Sequence, residues 1–180
     1  MIAVRWLATL LGLAMLAGPA RAGDAIGVEI VQYGLFRSDI VGTQPDTSGA
    51  AHNVLSNICH IATTETVPMK IGMHFGVRYK VTGPVAGDRV VLKRVVRYPA
   101  VVTPPAAGPP TSTVASFVEL RVGTTSYAEY ALEQPWELIA GTWTFQFFER
   151  DRKLAEFSFT VSEAAAEPKA TEPTCFQLSS

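Results

Sequence analysis

Charge is scarce in this chain, and histidine and cysteine are scarcer. Lys, Arg, Asp and Glu make up 17% of 180 residues, with three histidines and two cysteines. The two cysteines stand far apart, so there is no Cys-x-x-Cys pair. No Gly-x-Ser-x-Gly elbow and no His-Glu-x-x-His run occurs either. An enzyme read from such motifs is therefore not expected, and no cofactor is implied. No excess of basic residues marks a nucleic-acid binder. No apolar run reaches the ~20 residues that a spanning helix needs. No stretch carries a convincing helical period.

The longest apolar run lies near the start. Arg5 precedes Trp6 to Ala17, WLATLLGLAMLA; Gly18-Pro19 then breaks the run, and Ala20-Arg21-Ala22 offers small residues around a cleavage point. This is the pattern of a secretory signal over residues 1–22. No cysteine follows the apolar run to take a lipid. The expected location is periplasmic or secreted. Removing Arg5 and Arg21 leaves 13 basic residues against 16 acidic ones, a slightly acidic remainder.

What the chain does have is period-two alternation. Trp143, Phe145 and Phe147 alternate with Thr142, Thr144 and Gln146. After the charged turn Glu149 to Arg152, Ala155, Phe157, Phe159 and Val161 alternate with Glu156, Ser158 and Thr160. Each set falls on one face of an antiparallel pair. A hairpin alone is marginal in water, so its aromatic face needs a second sheet over it. The same alternation marks Met69 to Thr82, Arg89 to Tyr98, Val114 to Val122 and Ser126 to Leu132. In Gly23 to Phe36 the apolar phase shifts between Ile30 and Val31, which predicts a bulge or a change of sheet. His52 to Thr64 reads as a strand of ambiguous phase. Arg37 to Ala51 reads as loop, as does Pro99 to Thr113 with its five prolines.

Seven or eight short strands predict an all-β fold, an immunoglobulin-like antiparallel β-sandwich over residues 23–162, with a small barrel as the alternative. Residues 163–180, rich in Ala, Glu and Pro, are expected to be a flexible tail. Cys175 can reach Cys59 along that tail, and an exported chain permits a disulfide. Equally, Cys59 can be a small buried residue and Cys175 a free or intermolecular thiol.

Four candidate sites emerge. If the turn at Gly83 to Asp88 closes a symmetric hairpin, Arg78 faces Lys93 and His74 faces Arg97, with Lys80 on the same side. Like charges opposed on a sheet repel, and a bound anion or acidic partner would relieve them; a solvated, lysine-protected face explains them as well. A metal or hydrolytic site could draw on His60 and His74, since Cys59, His60, Met69, Met73 and His74 are soft or borderline ligands. Alternation sends Met73 and His74, and likewise Cys59 and His60, to opposite faces. Glu149 and Asp151 flank a turn, where charge ordinarily serves solvation. Trp136, outside the strands, is either a recognition residue or an end plug.

Three stretches carry a family resemblance. VEIVQYGLF holds Tyr33-Gly34; TTETVPMKIGMHFGVRYKVTG holds Pro68 and the run Gly72 to Gly76; ELIAGTWTFQFFERDRKLAEFSFTV holds Gly141-Thr142-Trp143. The chain from Ile26 to Val161 resembles the bacterial family called domain of unknown function 3859. The resemblance implies a one-domain β fold and supplies no catalytic residues. The expected role is non-catalytic binding of an envelope protein or an anionic envelope component, through the face carrying Arg78, Lys80, Lys93 and Arg97. The alternative is a periplasmic metal-binding or weakly hydrolytic protein using His60 and His74.

Overall fold

A computed structural model describes residues 25–45, 51–102, 110–166, 168–169 and 172–176. The signal expected over 1–22 lies outside them, as do 46–50 and 103–109. The described residues form ten strands: β1 (Gly27–Pro45), β2 (Ala51–Ala62), β3 (Thr66–Pro68), β4 (Met73–Thr82), β5 (Arg89–Val102), β6 (Thr111–Arg121), β7 (Thr125–Leu132), β8 (Gly141–Glu149), β9 (Arg152–Ser162) and β10 (Thr174–Phe176). They make two five-stranded sheets, β10-β2-β1-β4-β7 and β3-β9-β8-β5-β6. Two separate sheets make a sandwich and not a closed barrel. The two strands beyond the expected eight, β3 and β10, have three residues each, too few to carry a period. β3 runs parallel to β9, and the other pairings are antiparallel.

The β8–β9 hairpin follows its alternation. Trp143 pairs with Phe159, Phe145 with Phe157 and Phe147 with Ala155. Above it, β4 turns Phe75, Val77, Tyr79 and Val81 inward, each fully buried. Phe75 stands edge-on to three rings of the opposite sheet: Trp143 at 5.8 Å, Phe145 at 5.9 Å and Phe159 at 5.2 Å between centroids. Edge-to-face pairs add to the area term of burial. Two glycines let the strands beside Phe75 approach. Gly34 pairs with Gly76 across β1 and β4. A Cβ at Gly34, where φ is +134°, would collide with the Ala62 carbonyl, and one at Gly76 with that of Ala128.

Three expectations change. The turn from Gly83 to Asp88 does not close a hairpin. Both edges of β4 are taken by β1 and β7, and both edges of β5 by β8 and β6. Six residues are long for a hairpin loop and enough to cross the ~10 Å between sheets. Arg37 onward is not loop but strand as far as Pro45, paired with β2 through two register shifts, at Arg37/Asp39 and Ile40/Gly42. Largely exposed and bulged, it has no core face to impose alternation. The shift near Ile30 is the bulge expected, between Ile30 and Gln32 against β4. The tail is not wholly loose: Thr174–Phe176 pairs with β2.

Phe75→Ala should lower unfolding stability by about 3–5 kcal/mol, the range for emptying a packed aromatic site. Chemical denaturation followed by Trp fluorescence measures it; a loss below about 1 kcal/mol would mean the sheets do not close on this ring.

Candidate functional site: a groove along the free edge of β7

Among the described residues β7 ends one sheet, and its outer edge borders a groove of about 380 Å³. Apolar walls come from Val96 and Val114 on one side and from Ile40 and Leu55 of the β1–β2 arm on the other. Val114 has the inward phase of its partner Val96 yet stays 45% exposed. Arg94 crosses the groove. It occupies the core phase of β5, between Leu92 and Val96, and its Nη1 donates to the Tyr127 carbonyl of β7 at 3.1 Å. Its Nε is buried with no protein partner. In an antiparallel ladder, alternate residues turn their backbone groups away from the neighbouring strand. The Tyr127 carbonyl faces Arg94, so Tyr127, Glu129 and Ala131 present theirs to the groove. Arg94 thus stands where a further strand would donate an N–H.

One rim is organised on Glu129. Tyr127 Oη donates to its carboxylate at 2.7 Å and Ser38 Oγ at 2.9 Å; His74 Nδ1 lies 3.5 Å away. Serine, histidine and carboxylate meet here, but not as a relay. Ser38 Oγ lies 3.3 Å from the same Nδ1 that faces Glu129. A relay needs the serine and the acid on different ring nitrogens. Ser38 spends its proton on the carboxylate, so the cluster steadies Glu129 instead of activating a nucleophile. The hydrogen bond to Glu129 raises the His74 pKa above 6.5, opposed by desolvation and aided by the charges of Glu129 and Glu133.

The far end of the groove is closed by Tyr130, Tyr98 and Glu137. Glu137 accepts from the Glu133 and Gln134 backbone N–H groups, both at 2.7 Å, and from Tyr130 Oη at 2.7 Å. Burial first, then hydrogen bonding, pushes the Tyr130 phenol far above its ordinary range. Tyr130 also packs on Trp143 at 4.8 Å, tying this end to the core. Trp136 sits half-buried in the 3₁₀ turn Pro135–Glu137.

The residues singled out by spacing are not brought together. Arg78 and Lys80 project from the outer face of β4, whereas Lys93 and Arg97 belong to β5 in the opposite sheet. The expected basic stripe is corrected accordingly: it needed a β4–β5 hairpin, and there is none. Arg78 instead covers the Phe176 ring, with its guanidinium carbon 4.5 Å from the centroid. Arg97 joins Gln146 and Lys153 around Glu156, whose carboxyl is held below its usual range, chiefly by the hydrogen bond from Gln146. His60 and His74 are each paired with Phe36 from opposite sides, two strand spacings or ~9–10 Å apart. His60 Nε2 is within 3.0 Å of the Tyr33 carbonyl. Among the described residues no three His, Cys, Asp or Glu groups converge for a metal. Cys59 and Cys175 are joined by a disulfide. Arg94 went unselected in the sequence, although an arginine in the core phase of a strand is a visible signal.

The raised pKa of His74 fixes the sign of a pH effect. Its stabilising charge is fully present below about 6.5, the unfolded value, and is lost as pH rises through the higher folded value. Denaturant midpoints should therefore fall as pH is raised from about 6, and His74→Gln should flatten that slope; an unchanged slope in the variant would discard the His74–Glu129 pair as its source.

No curated protein matches the chain. Among solved structures it is similar to an immunoglobulin-like protein from Pseudomonas aeruginosa, at 27% identity and a TM-score of 0.53, over 78% of this chain and 99% of that one. The two-sheet fold is accordingly an immunoglobulin-like sandwich. Residues 25–161, well over half the chain, match one family model, and the chain belongs to that family: domain of unknown function (DUF3859).

Proposed function

We propose that this chain is a non-catalytic binding module of the cell envelope that takes an extended polypeptide segment along the free edge of β7. The observation that carries it is Arg94, whose Nη1 reaches the Tyr127 carbonyl in the place of a missing strand. An added strand pairs its main chain with an exposed edge and sets alternate side chains into pockets. Here the pockets would be the walls of Val96, Val114, Ile40 and Leu55. The buried, unpartnered Nε of Arg94 can donate to a carbonyl of the incoming segment. The occupant is thus a segment of another protein with apolar residues at alternate positions.

Placement in the envelope rests on the signal-like segment before Gly23. The basic residues once expected to dock an anionic component are divided between two sheets, so they do not define that surface. A hydrolytic reading has little support, because Ser38 and Glu129 share one nitrogen of His74.

Extended peptides selected against the full chain from a displayed random library should protect the Tyr127, Glu129 and Ala131 amides in hydrogen exchange. Val114→Asp should weaken them at least ~10-fold while moving stability by no more than ~0.5 kcal/mol, as expected of an exposed position. Failure to select any peptide, or protection mapping to another surface, would overturn this assignment.

A further inference from the structure

The opposite edge of the same sheet is already occupied, and by the chain's own end. β10 pairs antiparallel with β2, placing Thr174 against His60, Cys175 against Cys59 and Phe176 against Ile58. Three residues supply few backbone hydrogen bonds, and each is weakly favourable on balance. What holds them is the Cys59–Cys175 bridge, which spans 116 positions of sequence. A tether of this kind keeps a weak strand at high effective concentration.

Beneath the strand lies an apolar cluster on the outer face of the sheet, separate from the core between the sheets. Phe36, Ile58 and Tyr127 are buried there, and Leu55 and Phe176 pack against them. The Phe176 ring meets Tyr127 at 5.9 Å and Phe36 at 6.4 Å. Arg78 lies over the same ring, its Nε buried and unpartnered. Without Phe176, an aromatic floor, a guanidinium and a strand edge would all be uncovered together.

The bridge itself is open to attack. It forms part of a surface cleft with Arg37, Asp39 and Asn57, and Cys175 is exposed. Asn57 supports that cleft through Nδ2 to Asp39 at 2.8 Å. A neighbouring guanidinium favours a departing thiolate.

We propose that β10 is a disulfide-locked strap over a second strand-docking edge, opened by a dithiol reductant to admit a partner segment with an aromatic residue in the position of Phe176. The occupant is inferred from β10 itself, which shows what chemistry the edge accepts. In the exchange, one reductant thiolate attacks Cys175 Sγ, the S–S bond breaks and Cys59 leaves as thiolate. The second reductant thiol then displaces Cys175 from the mixed disulfide. Two electrons pass from the dithiol, which ends as a disulfide, and both cysteines end as thiols. This strand edge is the opposite one from the groove at β7, although Leu55 and Tyr127 border both sites.

The full chain, oxidised or reduced with dithiothreitol, tests this. Cys59 and Cys175 are the closely opposed pair of this ladder, 3.9 Å between Cα atoms, so the amides that β10 covers are those of Ile58 and His60. Reduction should raise hydrogen exchange at Ile58, His60, Thr174 and Phe176 at least ten-fold, leaving Phe75 and Trp143 amides protected. A labelled peptide of residues 172–180 carrying the Cys175→Ser change should bind the reduced Phe176→Ala chain at least ten-fold tighter than the oxidised wild-type chain. The same peptide lacking its phenylalanine ring should not bind. Unchanged exchange on reduction, unfolding of the whole sandwich, or release of β10 without peptide binding would each overturn the proposal. So would strand exchange between two copies, seen as a disulfide-linked dimer after reoxidation. A Cys175→Ser chain, which needs no reductant, must reproduce the opened state.

Discussion

The contact of Phe75 with Trp143, Phe145 and Phe159 is the constraint on which the rest of the architecture depends. It joins a strand in the middle of one sheet to the aromatic hairpin of the other. A ring packed edge-on against three others has few alternative placements, so it sets the relative position of the sheets. Gly34 and Gly76 belong to the same constraint, since side chains there would collide with carbonyls of β2 and β7 and push the strands beside Phe75 apart.

With the sheets pinned at that point, polar chemistry is left to their margins. Arg94 shares the inward phase of Leu92, but it stands where the interior gives way to the β7 edge and can spend its guanidinium on a backbone carbonyl. Glu137 ties the far end of the groove to the core through Tyr130. On the outer face, Phe36, Ile58 and Tyr127 form a second apolar cluster that a single strand would not keep dry without the Phe176 ring. Both features arise at sheet edges, where backbone hydrogen-bonding groups lack a strand partner.

Some elements could be read directly. Trp143, Phe145, Phe147 and Phe159 declared their face by alternation, as did Phe75, Val77, Tyr79 and Val81, and all are buried. The β1 half of the arm beyond Arg37 could not be read in this way, because it is exposed as far as Pro45 apart from Ser38, which leaves little to select an apolar face. The candidate site was less legible than the fold. Glu129, Ser38 and His74 lie on three strands, and the distance between Ser38 and Glu129 is 91 positions. Charges judged neighbours from a presumed hairpin, Arg78 and Lys93 among them, were assigned by a pairing that had no local signal.

For the segments that alternate, the sequence by itself determined the strand and its apolar face, since side chains on an extended backbone alternate whatever the partner. Beyond the β8–β9 hairpin, tertiary structure alone decided which strands pair. A turn of six residues, Gly83 to Asp88, is compatible with a hairpin or with a crossing between sheets. The choice fell to the competition of β1, β7, β8 and β6 for the edges of β4 and β5. That competition is non-local, so the groove at β7 and the covered edge at β2 exist only once every strand has found its place.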